Sequence, residues 1–560
     1  MFKTDQSKIE AKWLILFFGL VFLLSLFLYH NNLSAYFVSD DFDWLYNTYQ
    51  RNPLTFFLTN STGQLGSGSY GPIVSLVYYF SYQLGQLNPL PYHLFSFLFH
   101  FGNIILIYFL AKHFFGQKTG LIASLLFAVY FNNAEAVSWI AAIPHVSATF
   151  FYLLVVYCWL KFINQNHLRF LFLSLAFFGS ALLAKEIVIT LPFIILILYF
   201  WEAKNSNLFI RPKKVVFTWI GFWLILVLYL LVRYSITGIL FGYYGRTQFN
   251  FDWLQYLKNL LALVFTFGST NILRFKLLGL VNNHLSFAVL GSLVSLVLVF
   301  LICKKRIFPL VIFLLLFGFS LLPYITLPIN PLTNEAERYL YLPVILLIIV
   351  FSWLLFLVKK ILPRLFWFSF LFLLLVSGVL LYEKNQDWCL SSQIAQKIIA
   401  DFASQVDLKQ NNEQVVFIYL PDNLNGAQIF RNAIVEAIKL NYPNYSFSAK
   451  VLPVYIMLSP ANWQQPLFSW KNDGVNRILG KTVNGQRIVT GFDRREDNDI
   501  IFELWGYDYK YYITDKIFIQ LKDGLIESNQ QKKTYFFYFD SGGLKLLDDN
   551  LFKSDTGGQA

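Results

Sequence analysis

Eleven apolar runs recur between residues 13 and 382, near 13–29, 93–111, 119–132, 145–160, 168–184, 187–201, 216–233, 283–302, 307–323, 339–358 and 365–382. Most are close to the length a helix needs to cross roughly 30 Å of hydrocarbon. A soluble core does not take so many apolar stretches in series, so the spacing predicts a mostly α, polytopic bundle of about eleven transmembrane helices. Composition agrees: 56% of the 560 residues are hydrophobic, 19% aromatic and only 14% charged. The net charge of +12 is scattered between the runs and not gathered on one polar face, which argues against a nucleic-acid partner. Cys158, Cys303 and Cys389 form neither an even disulfide framework nor a metal-ligand spacing, and are read as unpaired structural residues.

Basic residues set the expected orientation. Lys3, Lys8 and Lys12 precede the first run and no small-residue cleavage site follows it, so the first helix is expected to be retained with its N-terminus in the cytoplasm. Lys112 and Lys118, Lys161 and Arg169, Lys204 to Lys214, Lys304 to Arg306, and Lys359 to Arg364 then all fall inside, as the positive-inside rule asks. The opposite turns carry Asp40, Asp41 and Asp43, then Glu135, the Lys185-Glu186 pair, and Glu335, Glu337 and Arg338. This assignment requires that 72–85 does not cross, and it reads as an amphipathic surface helix in a long outer loop of about 30–91. After Tyr382 polar residues become common. Strand-like runs at Val415–Leu420, Ala449–Leu458 and Thr534–Phe539, with a helix over Gln428–Leu440, predict an α+β domain. The chain is therefore read as a membrane domain over 1–382 and a soluble domain over 383–560, placed outside the cytoplasm by the odd number of crossings.

Charge at the lip of a membrane helix is expensive, so the ionisable outer turns are the places to look for chemistry. Three carboxylates lie within four residues in Asp40, Asp41, Phe42 and Asp43. A carboxylate there can take the proton from an acceptor hydroxyl. It can equally cap the helix that follows, or the triplet could hold a divalent cation such as Mg or Mn, although no further ligands are in view. Lys185 and Arg338 could meet a lipid phosphate at headgroup level, or be neutralised by Glu186 and by Glu335 or Glu337. His93, His100 and Asn103 recur at near-helical spacing and could line a groove or be satisfied in the core. Glu135 ends a span, where it could orient an acceptor or sit in water.

Together these stretches resemble the GT-C superfamily of lipid-phosphate-sugar glycosyltransferases, in its protein O-mannosyltransferase-like branch. The resemblance rests on Asp40-Asp41; on Tyr92-His93 with His100 and Asn103; on Glu135-Ala136-Val137 with Trp139-Ile140; and on Lys185-Glu186 with Thr190-Leu191-Pro192, joined by Glu337 to Pro343. It covers roughly the first 380 residues, and the chain looks like a bacterial-type relative without TPR repeats. Two departures remove charge: Tyr70-Gly71-Pro72 stands where relatives often have Tyr-Arg-Pro, and Ile143-Pro144-His145 where they often have an arginine and an acid.

The resemblance implies an inverting, hexosyltransferase-like enzyme with a GT-C-like membrane domain, moving a sugar from a dolichyl or undecaprenyl phosphate to a protein, lipid or glycan hydroxyl. It puts the catalytic role on Asp40 with Asp41. Lys185, Arg338, Glu186, His93 and His100 would serve the lipid phosphate and donor, and Asp43, Glu135, Asn103, His145 and Tyr339 would bind the acceptor or support the site. No metal is required by this reading, and the expected setting is a bacterial plasma membrane and its envelope. The expectation carries a geometric condition, that the aspartates and the distant cations open onto one outer-leaflet cavity. Two other classes compete with it: a transporter or lipid flippase, disfavoured because the charges sit at helix ends and not at mid-span, and a non-catalytic assembly protein binding glycans through the outer domain.

Overall fold

The computed structural model describes residues 2–66, 69–205, 212–240, 257, 307–324, 337–406, 413–452, 454–473, 477–483, 488–490, 494–496, 500–504, 512–514, 516–521 and 534–548. The expected span 283–302, Cys303, the basic turn 304–306 and Glu335 lie outside these residues. In chain order the α-helices are α1 (Phe2–Tyr29), α2 (Asp40–Tyr46), α3 (Pro72–Gly85), α4 (Leu90–Phe115), α5 (Gln117–Ala128), α6 (Ala134–Ser138) and α7 (Ile143–Gln165). They continue as α8 (Leu168–Ala184), α9 (Leu191–Asn205), α10 (Pro212–Thr237), α11 (Ile307–Leu321), α12 (Tyr341–Ile361), α13 (Pro363–Gln405) and α14 (Ile434–Asn441). Two compact units result: Met1–Ser34 with Asn47–Gln386, and Ala35–Tyr46 with Asp387–Ala560. The two units divide at Gln386/Asp387, with the twelve residues Ala35–Tyr46 grouped with the C-terminal part.

The first unit is a bundle of apolar helices whose ends are set by local chemistry. α4 opens on Pro91, with the Asn88 side chain accepting the Leu90 N–H at 3.0 Å, and closes at Gly116, whose φ of 90° only glycine adopts without cost. α7 opens on Pro144 and ends at Asn166 in the left-handed region. Gly120 lets α5 approach α4, since a Cβ there would stand 2.8 Å from the Tyr108 carbonyl oxygen. Polar side chains join neighbours: Ser174 Oγ donates to Val155 O at 3.0 Å and Trp159 Nε1 to Ile195 O at 3.1 Å.

Among the described residues seven helices are long and apolar enough to cross a membrane, or eight if the pair Gln117–Ala128 and Phe131–Ser138, bent by 54°, is one span. This is an integral-membrane architecture; the described residues account for seven or eight of the eleven expected crossings, and run 283–302 lies outside them. Ten of the expected runs do coincide with helix; two of them, Leu168–Ala184 and Phe308–Tyr324, are shorter than the rest, and run 119–132 is broken. Apolarity marks a run, whereas crossing needs unbroken backbone, and the break is where Asn133 Nδ2 turns back to the Phe127 carbonyl at 2.9 Å. The helix expected over 72–85 is present with those bounds, its 14 residues spanning about 21 Å, too short to cross. Val74, Tyr78 and Ser81 are buried while Phe80 and Leu84 are exposed, so one face packs inward and the outward face carries large apolar side chains as well.

The second unit is α+β. Its strands are β1 (Glu413–Leu424), β2 (Ala427–Gln428), β3 (Phe447–Val451), β4 (Val454–Leu458), β5 (Phe468–Asn472), β6 (Arg477–Thr482), β7 (Ile488–Thr490), β8 (Arg494–Glu496), β9 (Ile500–Leu504), β10 (Tyr512–Thr514), β11 (Lys516–Leu521), β12 (Thr534–Asp540) and β13 (Gly543–Leu546). One sheet runs β10-β7-β4-β1-β12-β13, with β2 and β3 also paired to β1, and a second runs β5-β6-β11-β9-β8. β1 is parallel to β3, β4 and β12 and almost wholly buried, which is why its sequence is a continuous apolar run and not an alternating one. Pro421, which cannot donate to a ladder, stands at a register shift.

Two sequence boundaries are corrected here. The helix expected from Gln428 begins at Ile434, because Ala427–Gln428 folds back as β2, and Ile429 and Phe430 donate their N–H groups to the Asp422 and Pro421 carbonyls at 2.9 and 3.0 Å. The run 449–458 is two strands, β3 and β4, parted where the Leu452 N–H leaves to Phe417 O at 2.9 Å.

Candidate functional site

Buried charge in the first unit gathers at or near the ends of α6, α8 and α10, just before α12 and midway along α13. Arg338, in the short turn that leads into α12, meets Glu135 of α6 twice. Its backbone N–H donates to Glu135 Oε2 at 2.8 Å and its Nη1 donates to Oε1. Nη2 donates to the Tyr339 hydroxyl at 3.0 Å, and the guanidinium lies 5.0 Å from the Trp139 ring centroid and 4.6 Å from that of Tyr339. Glu135 thus reaches Arg338 across 203 residues of chain. Glu337 takes Lys384 of α13, whose ammonium also donates to Asn132 Oδ1 at 2.7 Å. Glu135 is 3% exposed, so the reading in which it sits in water does not hold.

Lys185, one residue past α8, lies 4.0 Å from Glu186, and Arg233 near the end of α10 also acts on Glu186 electrostatically. His145 sits between the two groups: the charges of Lys185 and Arg338 both bear on its ring, which stacks on Tyr324 and lies 3.3 Å from that hydroxyl through Nδ1. Among the described residues this set brings four bases together with three carboxylates.

His93, His100 and Asn103 all lie on α4 and are buried. His100 Nδ1 is 2.6 Å from the Tyr341 hydroxyl, and Asn103 Nδ2 donates to that hydroxyl at 3.2 Å and to Val146 O at 3.1 Å. The polar atoms of His100 and Asn103 thus tie α4 to α7 and to the start of α12, three residues beyond Arg338.

The acidic triplet belongs to the second unit and forms the first turn of α2. Asp41 is 1% exposed and its Oδ2 accepts the Val38 N–H at 3.0 Å, closing the turn before the helix. Asp40 and Asp43 are half-buried. Asp40 Oδ1 accepts from Asn432 Nδ2, and Ser39 Oγ donates to Asn432 Oδ1 at 2.7 Å. Among the described residues no group of three or more His, Cys, Asp and Glu side chains is arranged to hold a metal ion.

Residues 69–232 match the family model described as dolichyl-phosphate-mannose-protein mannosyltransferase. The chain is also similar to human protein O-mannosyl-transferase TMTC3, 30% identical over 134 residues, which is 22% of this chain and 15% of that protein. Xenopus laevis protein O-mannosyl-transferase tmtc2 is 34% identical over 148 residues, 25% of this chain and 18% of that one. The chain thus spans less than a fifth of the length of these two curated relatives. Among solved structures it is similar to ArnT from Cupriavidus metallidurans bound to undecaprenyl phosphate, at 12% identity and a TM-score of 0.39, covering 81% of this chain and 94% of that one. The Archaeoglobus fulgidus oligosaccharyltransferase complex with Zn and sulfate gives 12% identity and a TM-score of 0.41 over 78% of this chain and 62% of that one.

The family match encloses His93, Glu135 and the Lys185-Glu186 pair; Asp40 and Arg338 lie outside it. Arg233, Lys384 and Asn432 escaped sequence reasoning. Arg233 had a usable signal, a lone charge inside an apolar helix. Asn432 had none, since it stands 392 residues from the aspartate it contacts.

Proposed function

We propose that the chain is a membrane glycosyltransferase that moves a hexose from a polyprenyl-phosphate donor to an acceptor hydroxyl with inversion. Asp40 takes the proton from the hydroxyl as it attacks the anomeric carbon, the bond from that carbon to the donor phosphate breaks, and the phosphate leaves as an anion. Lys185 and Arg338 stabilise that anion, and Glu135 sets the direction of the Arg338 guanidinium. Such a leaving group needs no general acid, which suits a set built from carboxylates and cations. The observation that carries the reading is the match of 69–232 to the mannosyltransferase model, which encloses Glu135 and Lys185. The acceptor side and the placement of the C-terminal domain outside the cytoplasm belong to the same proposal.

The test is transfer of radiolabelled mannose from dolichyl phosphate mannose in membranes containing the full chain. Asp40→Asn abolishes incorporation while the purified variant keeps the wild-type unfolding temperature. Full turnover in that variant would exclude Asp40 as the base.

A further inference from the structure

The C-terminal half of the chain supplies a hydrogen bond to the very carboxylate assigned above to proton transfer. Asn432 Nδ2 donates to Asp40 Oδ1. The orientation of the amide follows from chemistry: a carboxylate only accepts, so the amide must turn its N–H toward Asp40, leaving its oxygen to take the Ser39 hydroxyl at 2.7 Å. Segment 429–432 grips the same turn at a second point, where the Ser39 N–H donates to the Ile429 carbonyl at 2.8 Å. Phe42, wholly buried, stacks on Phe430 with ring centroids 5.8 Å apart and planes 17° from parallel. Both ends of the Asn432 contact border residues in the left-handed region, Ser39 at φ 44° and Ala433 at φ 61°. Neither is a glycine, and such conformations persist only where their surroundings over-determine them.

We propose that Asn432 is a positioning residue for Asp40, holding its carboxylate in the charged form and in one orientation; this rests on Asp40 being the base of the proposed reaction. A donor to the ionised form lowers a carboxyl's affinity for protons. A second donor from Ser39 to the amide fixes that donor's own direction. The other ionisable groups on the elements that pack here are Asp41, Asp43 and Tyr46 on α2, Glu436 and Lys439 on α14, and the Asp422–Arg431 pair that precedes it. These stay unchanged in the variants below.

The test uses the full chain in membranes and two readouts. Dicyclohexylcarbodiimide modifies protonated carboxyls, so mass spectrometry of the peptide bearing Asp40 across a pH series gives its protonation midpoint without any sugar substrate. Asn432→Ser raises that midpoint by about one pH unit, and Asn432→Asp, which keeps the shape but exchanges the donor for a like charge, raises it further. With dolichyl phosphate mannose as donor, Asn432→Ser lowers kcat about tenfold while the donor KM is unchanged, as expected when only transition-state alignment is lost. An unmoved midpoint in both variants overturns the positioning role. That result with an inactive Asp40→Asn chain overturns it alone, whereas full turnover in Asp40→Asn overturns the reading beneath it as well.

Discussion

Glu135 and Arg338 place opposite charges where neither can be hydrated, and in such a pair each partner is the other's solvent. Removing one leaves a buried charge uncompensated, which costs about 3–5 kcal/mol, while removing both costs much less. Glu135→Gln and Arg338→Met should therefore each lower stability strongly, and the double variant should fall by less than their sum; thermal unfolding in detergent over a double-mutant cycle reads this directly. That the pair exists at all was not legible in the sequence. Each residue could be marked as an ionisable group at a helix end, but their partnership across 203 residues carries no local signal. Proximity in sequence offers Glu335 and Glu337 as partners, one reading beside a lipid phosphate. The same holds for Asn432 and Asp40: short-range pattern exposes the charge, and only the folded chain exposes its neighbour.

At the scale of elements the sequence was a better guide, because periodicity and punctuation are local. The bounds of α3 and the apolar run of β1 both followed from composition over a few residues. Where a boundary was missed, a tertiary hydrogen bond had won over propensity, as in β2 displacing the start of α14. Polar side chains also fasten elements whose apolar faces are interchangeable. Asn385 on α13, wholly buried, donates to the Leu28 carbonyl at 2.8 Å and accepts from Ser138 Oγ at 2.8 Å, and that hydroxyl in turn accepts from Asn32 at 2.7 Å. Replacing Asn385 by Leu keeps the volume but strands Ser138 and the Leu28 carbonyl. A loss of about 1–3 kcal/mol is expected, measured as a lowered unfolding temperature, with Asn385→Asp no remedy because it cannot donate to the carbonyl when ionised.

On the scale of the whole molecule, each unit has its own means of cohesion. In the second, Asp540 joins β12 to the strand before β6: its Oδ1 accepts the Leu467 N–H at 2.6 Å, while Oδ2 accepts from Ser541 and Lys545 at 2.9 Å each. Burial pushes this carboxyl up, but the hydrogen bonds from Leu467, Lys545 and Ser541 outweigh it and hold it below its ordinary value of 3.8. A carboxyl depressed in the folded state stabilises above its unfolded value and loses that contribution as pH falls through the folded one. Unfolding of the wild-type chain should therefore ease as pH drops below 3.8. Asp540→Asn should be less stable near neutrality and should lack that component of the acid dependence, as circular dichroism against temperature at several pH values would register.

Ala35–Tyr46 belongs with the residues after Asp387 although most of the bundle separates them in the chain. A truncation that stops before that point would retain every aspartate of the first loop yet discard their scaffold, so inactivity of such a fragment would say nothing about whether the tail handles substrate. By the same logic, a chimera that borrows the tail of another protein must borrow its dozen loop residues too, as two pieces of one graft.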